Sequence, residues 1–212
     1  NASILAALDA NGTDGSSANV NGNQAGRLGG GYGGHDFNGT TVGPGDNPSH
    51  LYAGLFNSGG APFKGWSDLS STTLVAGQAP GGGSYGGVGG RPEPVGGQGN
   101  WNAIAPSGNT YGNENLNHLL AGSGGGGGNE RQGGSGGGAL KIVAGGTLTI
   151  GGNIWADGGK GGPRLNEARR SGGSGSGGAI YLKGDKVVIN TGVSIKADGG
   201  DGAAGITNAG NQ

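Results

Sequence analysis

The carboxylates and imidazoles of this 212-residue chain, the groups that most often do acid–base or metal chemistry, are thirteen Asp and Glu and three His. Acid–base catalysis needs two carboxylates converging on one bond, or a histidine oriented by a carboxylate. Asp36, Asp46, Glu93, Glu114 and Glu130, with His35, His50 and His118, are scattered through loop-like sequence, and no spacing pairs any two of them. Histidines so far apart form no zinc signature. With no cysteine there is no thiolate nucleophile, no thiolate metal site and no disulfide. The glycine runs lack the Gly-x-x-x-x-Gly-Lys-Ser/Thr pattern that cradles phosphate. The expectation is a protein without catalytic residues.

Oxygen ligands cluster better than titrating ones. Asp9, Asn11 and Asp14, then Asp157, then Asp198 and Asp201, each sit in Asx-Gly-rich stretches. Calcium takes hard donors presented by such turns, which makes Asp198 and Asp201, in Asp-Gly-Gly-Asp-Gly, the calcium candidates. Asp and Asn before Gly are also the best turn formers, which is the simpler account of the same residues. The aromatic residues are the other candidates. Tyr85, Trp101, Tyr111 and Trp66 lie on glycine-rich stretches, where a rigid ring can stack on a sugar or anchor a partner, or cover a glycine layer from within.

Sixty glycines, about four times ordinary usage, dominate the background in which these residues must be positioned. Glycine brings no side chain to bury and loses the most backbone freedom on folding, so the chain must either stay disordered or pack backbone on backbone. A formal net charge of −1 gives no electrostatic case for nucleic acid. No run of some 18 apolar residues is present to span a bilayer. A chain that begins at Asn1 and holds no methionine is expected to be processed, or a piece of something longer.

Order is clearest after residue 132. Ala139-Leu140-Lys141-Ile142 recurs as Ala179-Ile180-Tyr181-Leu182 at an offset of 40, and Ile154-Trp155-Ala156-Asp157-Gly158-Gly159 as Ile195-Lys196-Ala197-Asp198-Gly199-Gly200 at 41. One inserted residue between the blocks accounts for the difference. Apolar residues alternate inside each copy, as in Leu148/Ile150 and Val187/Ile189, which predicts short strands. Turns are expected at Gly145-Gly146, Gly151-Gly152-Asn153, Gly184-Asp185 and Asn190-Thr191-Gly192. A repeat near 40 residues is the mark of a stacked array. Stacking would set Ile142 over Leu182 and Ala156 over Ala197. A third, partial copy, Leu8-Asp9-Ala10-Asn11-Gly12, opens the chain. The predicted organisation is a partial coil over 1–15, a glycine-rich loop region with aromatic islands over 16–132, and two repeats over 133–212, together one domain.

The blocks Ser84-Tyr85-Gly86-Gly87, Tyr111-Gly112, Leu119-Leu120-Ala121-Gly122-Ser123-Gly124, Gly137-Gly138-Ala139 and Ala156-Asp157-Gly158-Gly159 occur in that order. In this they resemble the glycine-rich parallel β-helix repeats of large secreted or cell-surface bacterial proteins. The resemblance implies an all-β fold, a right-handed parallel β-helix or β-solenoid with long glycine-rich, polyglycine-II-like loops. It also implies an extracellular structural or adhesive role, and no activity.

A solenoid this short leaves open strand edges, here Ile4, Leu5 and Leu8 at one end and Val187, Ile189, Val193 and Ile195 at the other. These are the expected subunit interface of a non-enzymatic fibre, filament or sheath built head to tail by self-association. A carbohydrate-binding adhesin or the receptor-binding tip of a phage tail fibre is the alternative. A polysaccharide-acting β-helix enzyme, with carboxylates along a groove, and an ice-binding face stand further off. No cofactor other than calcium is expected.

Overall fold

The computed structural model describes residues 1–15, 28, 30, 31, 83, 85, 111, 119–127, 131–163 and 171–202. Eight short strands lie among them: β1 (Ala2–Ile4), β2 (Leu8–Asp9), β3 (Ala139–Val143), β4 (Thr147–Ile150), β5 (Ile154–Trp155), β6 (Ala179–Lys183), β7 (Lys186–Ile189) and β8 (Ile195–Lys196). They form three small sheets in the orders β1-β4-β7, β2-β5-β8 and β3-β6, and every pairing is parallel. No helix occurs among the described residues.

Two of the sheets take one strand from each of three successive segments and the third, β3-β6, one from each of the last two, so the segments lie one above another as levels. The register follows the repeat. Ile142 stands beside Leu182, Leu148 beside Val187, Ile150 beside Ile189, and Ile154 beside Ile195. The amino-terminal segment forms the level above, with Ile4 beside Ile150 and Leu8 beside Ile154.

Two local differences from expectation have simple causes. The offset between levels runs 40, then 39, then 41, as in Val143↔Lys183, Thr147↔Lys186 and Ile154↔Ile195. A turn shortened by one residue at Gly184-Asp185 and one lengthened by two at 190–194, where Gly192 adopts φ 84°, sum to the single inserted residue. The edge residues Ile4, Leu5 and Leu8 do not lie on one strand, since Ile4 ends β1 and Leu8 begins β2. The chain bends after Ile4, whose carbonyl accepts from Gly151 N (2.7 Å) and Gly152 N (3.1 Å), and Leu5 is left 76% exposed at the bend.

Between the strand levels run the glycine-rich segments, in contact along their backbones. Along 131–138, Gly134 and Gly137 donate to Gly173 O (2.9 Å) and Ser176 O (2.9 Å). Ser135 and Gly138 donate to Thr13 O (3.0 Å) and Ala10 O (2.7 Å), and Gly136 donates to Gly31 O (2.9 Å). Donors three residues apart thus serve one neighbour, the pattern of a chain that makes three residues per turn and no hydrogen bonds within itself. The first neighbour runs parallel, since 173 rises to 176, and the second antiparallel, since 13 falls to 10. Carbonyls of the same run accept from two further runs: Gly137 O and Gly134 O from Gly122 N (2.7 Å) and Gly125 N (2.9 Å), and Ser135 O and Gln132 O from Gly159 N (2.8 Å) and Gly162 N (2.8 Å).

Such spacing leaves no room for side chains. An added Cβ on Gly134 would overlap the Gly159 carbonyl oxygen, and one on Gly136 that of Gly122. Where a run does carry a hydroxyl it replaces a backbone partner. Ser135 Oγ accepts from Thr13 N (2.6 Å) and Ser176 Oγ from Ser123 N (2.8 Å).

Candidate functional site

The strand stack has an interior and two ends. Leu148, Ile150 and Ile154, in the middle level, are fully buried, with Ala2, Ile4, Leu8, Leu140, Ile142, Ile180, Leu182, Val193 and Ile195 packed against them. Their partners in the lowest level sit in the same column at the open end. Val187 is 40% exposed and Ile189 52% exposed. Among the described residues no strand lies beyond β7 and β8 on one side or β1 and β2 on the other. Of the residues expected at the edges, Leu5, Val187 and Ile189 present most surface, while Ile4, Leu8, Val193 and Ile195 are half-buried.

The Asx residues do one job repeatedly. The N–H of Asp157 donates to Asn11 Oδ1 (2.8 Å), and that of Asp198 to Asp157 Oδ1 (2.8 Å). Thr147 N donates to Asn1 Oδ1 (2.9 Å), Lys160 N to Asp14 Oδ1 (2.8 Å) and Ser194 N to Asn153 Oδ1 (2.8 Å). In every case the side chain above accepts from the backbone below, so the ladder has a direction. These bonds satisfy backbone donors that the strand pairings leave over, each contributing about 1 kcal/mol.

Asp198, one of the two calcium candidates, therefore belongs to the ladder. The other, Asp201, pairs with Lys160 Nζ at 3.0 Å. That hydrogen bond, and then the charge of Asp201, hold the Lys160 amine above the usual lysine range. Among the described residues no three carboxylates or histidines come together as a metal-holding group.

The aromatic candidates divide. Trp66 and Trp101, like the histidines and the loop carboxylates Asp36, Asp46, Glu93, Glu114 and Glu130, lie outside the described residues. Tyr111 is 5% exposed, and its hydroxyl donates to the Ala121 carbonyl. Tyr85 meets it edge-on, with centroids 5.0 Å apart and planes at 79°. The two are also joined along the backbone, Tyr111 N donating to Tyr85 O (2.8 Å). Burial pushes the Tyr85 phenol above the usual tyrosine range. The folded state thus holds the neutral phenol, the unfolded chain ionises first, and this contribution is present below about pH 10 and lost as pH rises through the raised value. Tyr85→Phe should flatten the fall of stability between pH 8 and pH 11, measured as urea midpoints. An unchanged slope would contradict the burial of this ring.

Several residues with structural roles carried no signal in the sequence. Arg131 is buried, with Nε donating to Pro163 O at 2.6 Å. Ser135 and Ser176 reach across between runs far apart in the chain. Of the residues in the Asx ladder, Asn153 stands at a predicted turn and Asn11, Asp14 and Asp157 in the Asx-Gly stretches singled out in the sequence, whereas nothing marked Asn1.

No helix among the described residues is long and apolar enough to cross a membrane. No family of known proteins matches this chain, and no curated protein and no solved structure matches it either.

Proposed function

We propose that this chain is a non-enzymatic structural protein, a β-solenoid unit with polyglycine-II-like glycine layers, secreted to the cell surface and assembled head to tail into a fibre, filament or sheath. The observation that carries this reading is the aliphatic column. Ile150 is fully buried while its register partner Ile189 is 52% exposed at the open end. Unpaired parallel edges with apolar side chains are templates for further strand pairing. Committing the Asx side chains to the ladder also supports a structural role, because it uses them for stacking instead of for a reactive centre.

Sedimentation velocity over a concentration series tests the reading. The wild-type chain should give faster-sedimenting species as concentration rises. Val187→Asp/Ile189→Asp should remain monomeric and still fold, with a modestly lowered melting temperature, since both side chains are about half exposed in the free subunit. A wild-type chain that stays monomeric throughout would overturn the assembly reading.

A further inference from the structure

We infer that the two open ends dock in one defined register, β7 of one copy on β1 of the next and β8 on β2, continuing the register that relates levels inside the chain. This rests on the assembly reading above and adds which residues meet. Ala2 pairs with Leu148 and Leu148 with Val187, so Val187 falls beside Ala2 of the next copy. By the same step Ile189 falls beside Ile4 and Ile195 beside Leu8. Val187 and Ile189, open in the free subunit, gain the cover that Leu148 and Ile150 have.

Two polar features fit the same register. The column Asp9, Trp155, Lys196 carries an anion at its upper end and a cation at its lower end, so docking sets Lys196 beside Asp9 of the next copy. The ladder of Asn11, Asp157 and Asp198 ends at the Asp198 carboxylate, one level above the position where the next Asn11 N–H would arrive. In the free chain that N–H donates instead to Asp9 Oδ1 of its own level, at 3.0 Å. Docking exchanges this local bond for the ladder bond and turns Asp9 toward Lys196. The register also brings Asp201 beside the next Asp14, a like-charge step that Lys160, 3.0 Å from Asp201, offsets. The occupant of the open edge is thus a second copy of this chain.

Disulfide trapping reads the register directly, since the chain has no cysteine of its own. Ser3 pairs with Thr149 and Thr149 with Val188, on the outer face. Within one chain Ser3 and Val188 are two strand spacings apart, about 9.6 Å, beyond the roughly 7 Å limit for a disulfide. Between docked copies they are one spacing apart, about 4.8 Å. Oxidising Ser3→Cys/Val188→Cys should therefore give a ladder of covalent multimers, while Ser3→Cys/Lys141→Cys, with its second cysteine on another sheet, should give none. In addition, Lys196→Asp and Asp9→Lys should each weaken association several-fold, and their equimolar mixture should restore it. If the wild-type chain sediments as a multimer but the 3/188 pair does not link, the register is wrong and assembly stands. If it is monomeric at every concentration, the assembly reading itself has failed.

Discussion

Gly137→Ala is expected to cost the fold about 3 kcal/mol or more, for the addition of one methyl group. The new Cβ would overlap the carbonyl oxygen of Ala156 and lie 2.7 Å from its carbonyl carbon and 2.8 Å from Gly178 N. All three are backbone atoms, and none can rotate away. Ala156 O is itself the acceptor for Gly178 N (2.8 Å), while Gly137 N donates to Ser176 O (2.9 Å) and Gly137 O accepts from Gly122 N (2.7 Å). Relieving the overlap therefore breaks hydrogen bonds to several runs at once. Gly145→Ala is the matched control. Nothing lies within 4 Å of its added Cβ, and loss of unfolded-state freedom should make it neutral or stabilising by up to about 1 kcal/mol. Urea midpoints compare the two, and equal effects would contradict the close-packed glycine layer.

The second large effect separates identical residues by level. Ile150→Ala should cost about 2–5 kcal/mol, because Ile150 is fully buried between Ile4 above and Ile189 below. Ile189→Ala, in the same column but 52% exposed, should cost less than about 1 kcal/mol in the dilute monomer. At assembling concentrations the order of importance changes, since Ile189→Ala removes part of the surface that the next copy covers. Thermal melting across a concentration series checks both statements. Equal losses for the two in dilute solution would mean that the column is not graded from interior to end.

The strand levels were legible because their side chains carry the pattern. Ile142 over Leu182 and Ile154 beside Ile195 follow from aligning two copies of an alternating sequence, and Leu8-Asp9-Ala10-Asn11 betrays the level above by the same motif. The turn lengths were not legible, because a loss of one residue at Gly184-Asp185 and a gain of two at 190–194 leave only their sum in the alignment. Least legible was the glycine layer. Which run lies beside 131–138 is decided by backbone geometry, and glycines in 119–127, 156–163 and 171–178 are chemically identical as donors and acceptors. The non-glycine residues inside those runs, Ser123, Ser135 and Ser176, mark where neighbours touch, but they do so only once the runs are in place. By sequence the Asx residues are turn formers or calcium ligands. Their side-chain oxygens instead bond to backbone one level away, a role that appears only when Asn11, Asp157 and Asp198 are seen as one column.

Electron microscopy of the concentrated chain, with helical reconstruction of any filament, shows whether copies join through their open strand edges. Three strand levels per subunit at about 4.8 Å each predict filaments with an axial rise of about 14 Å per copy, the strands lying across the filament axis. Isolated particles at every concentration, or filaments whose subunits meet through surfaces other than β1/β2 and β7/β8, would contradict this joining of edges.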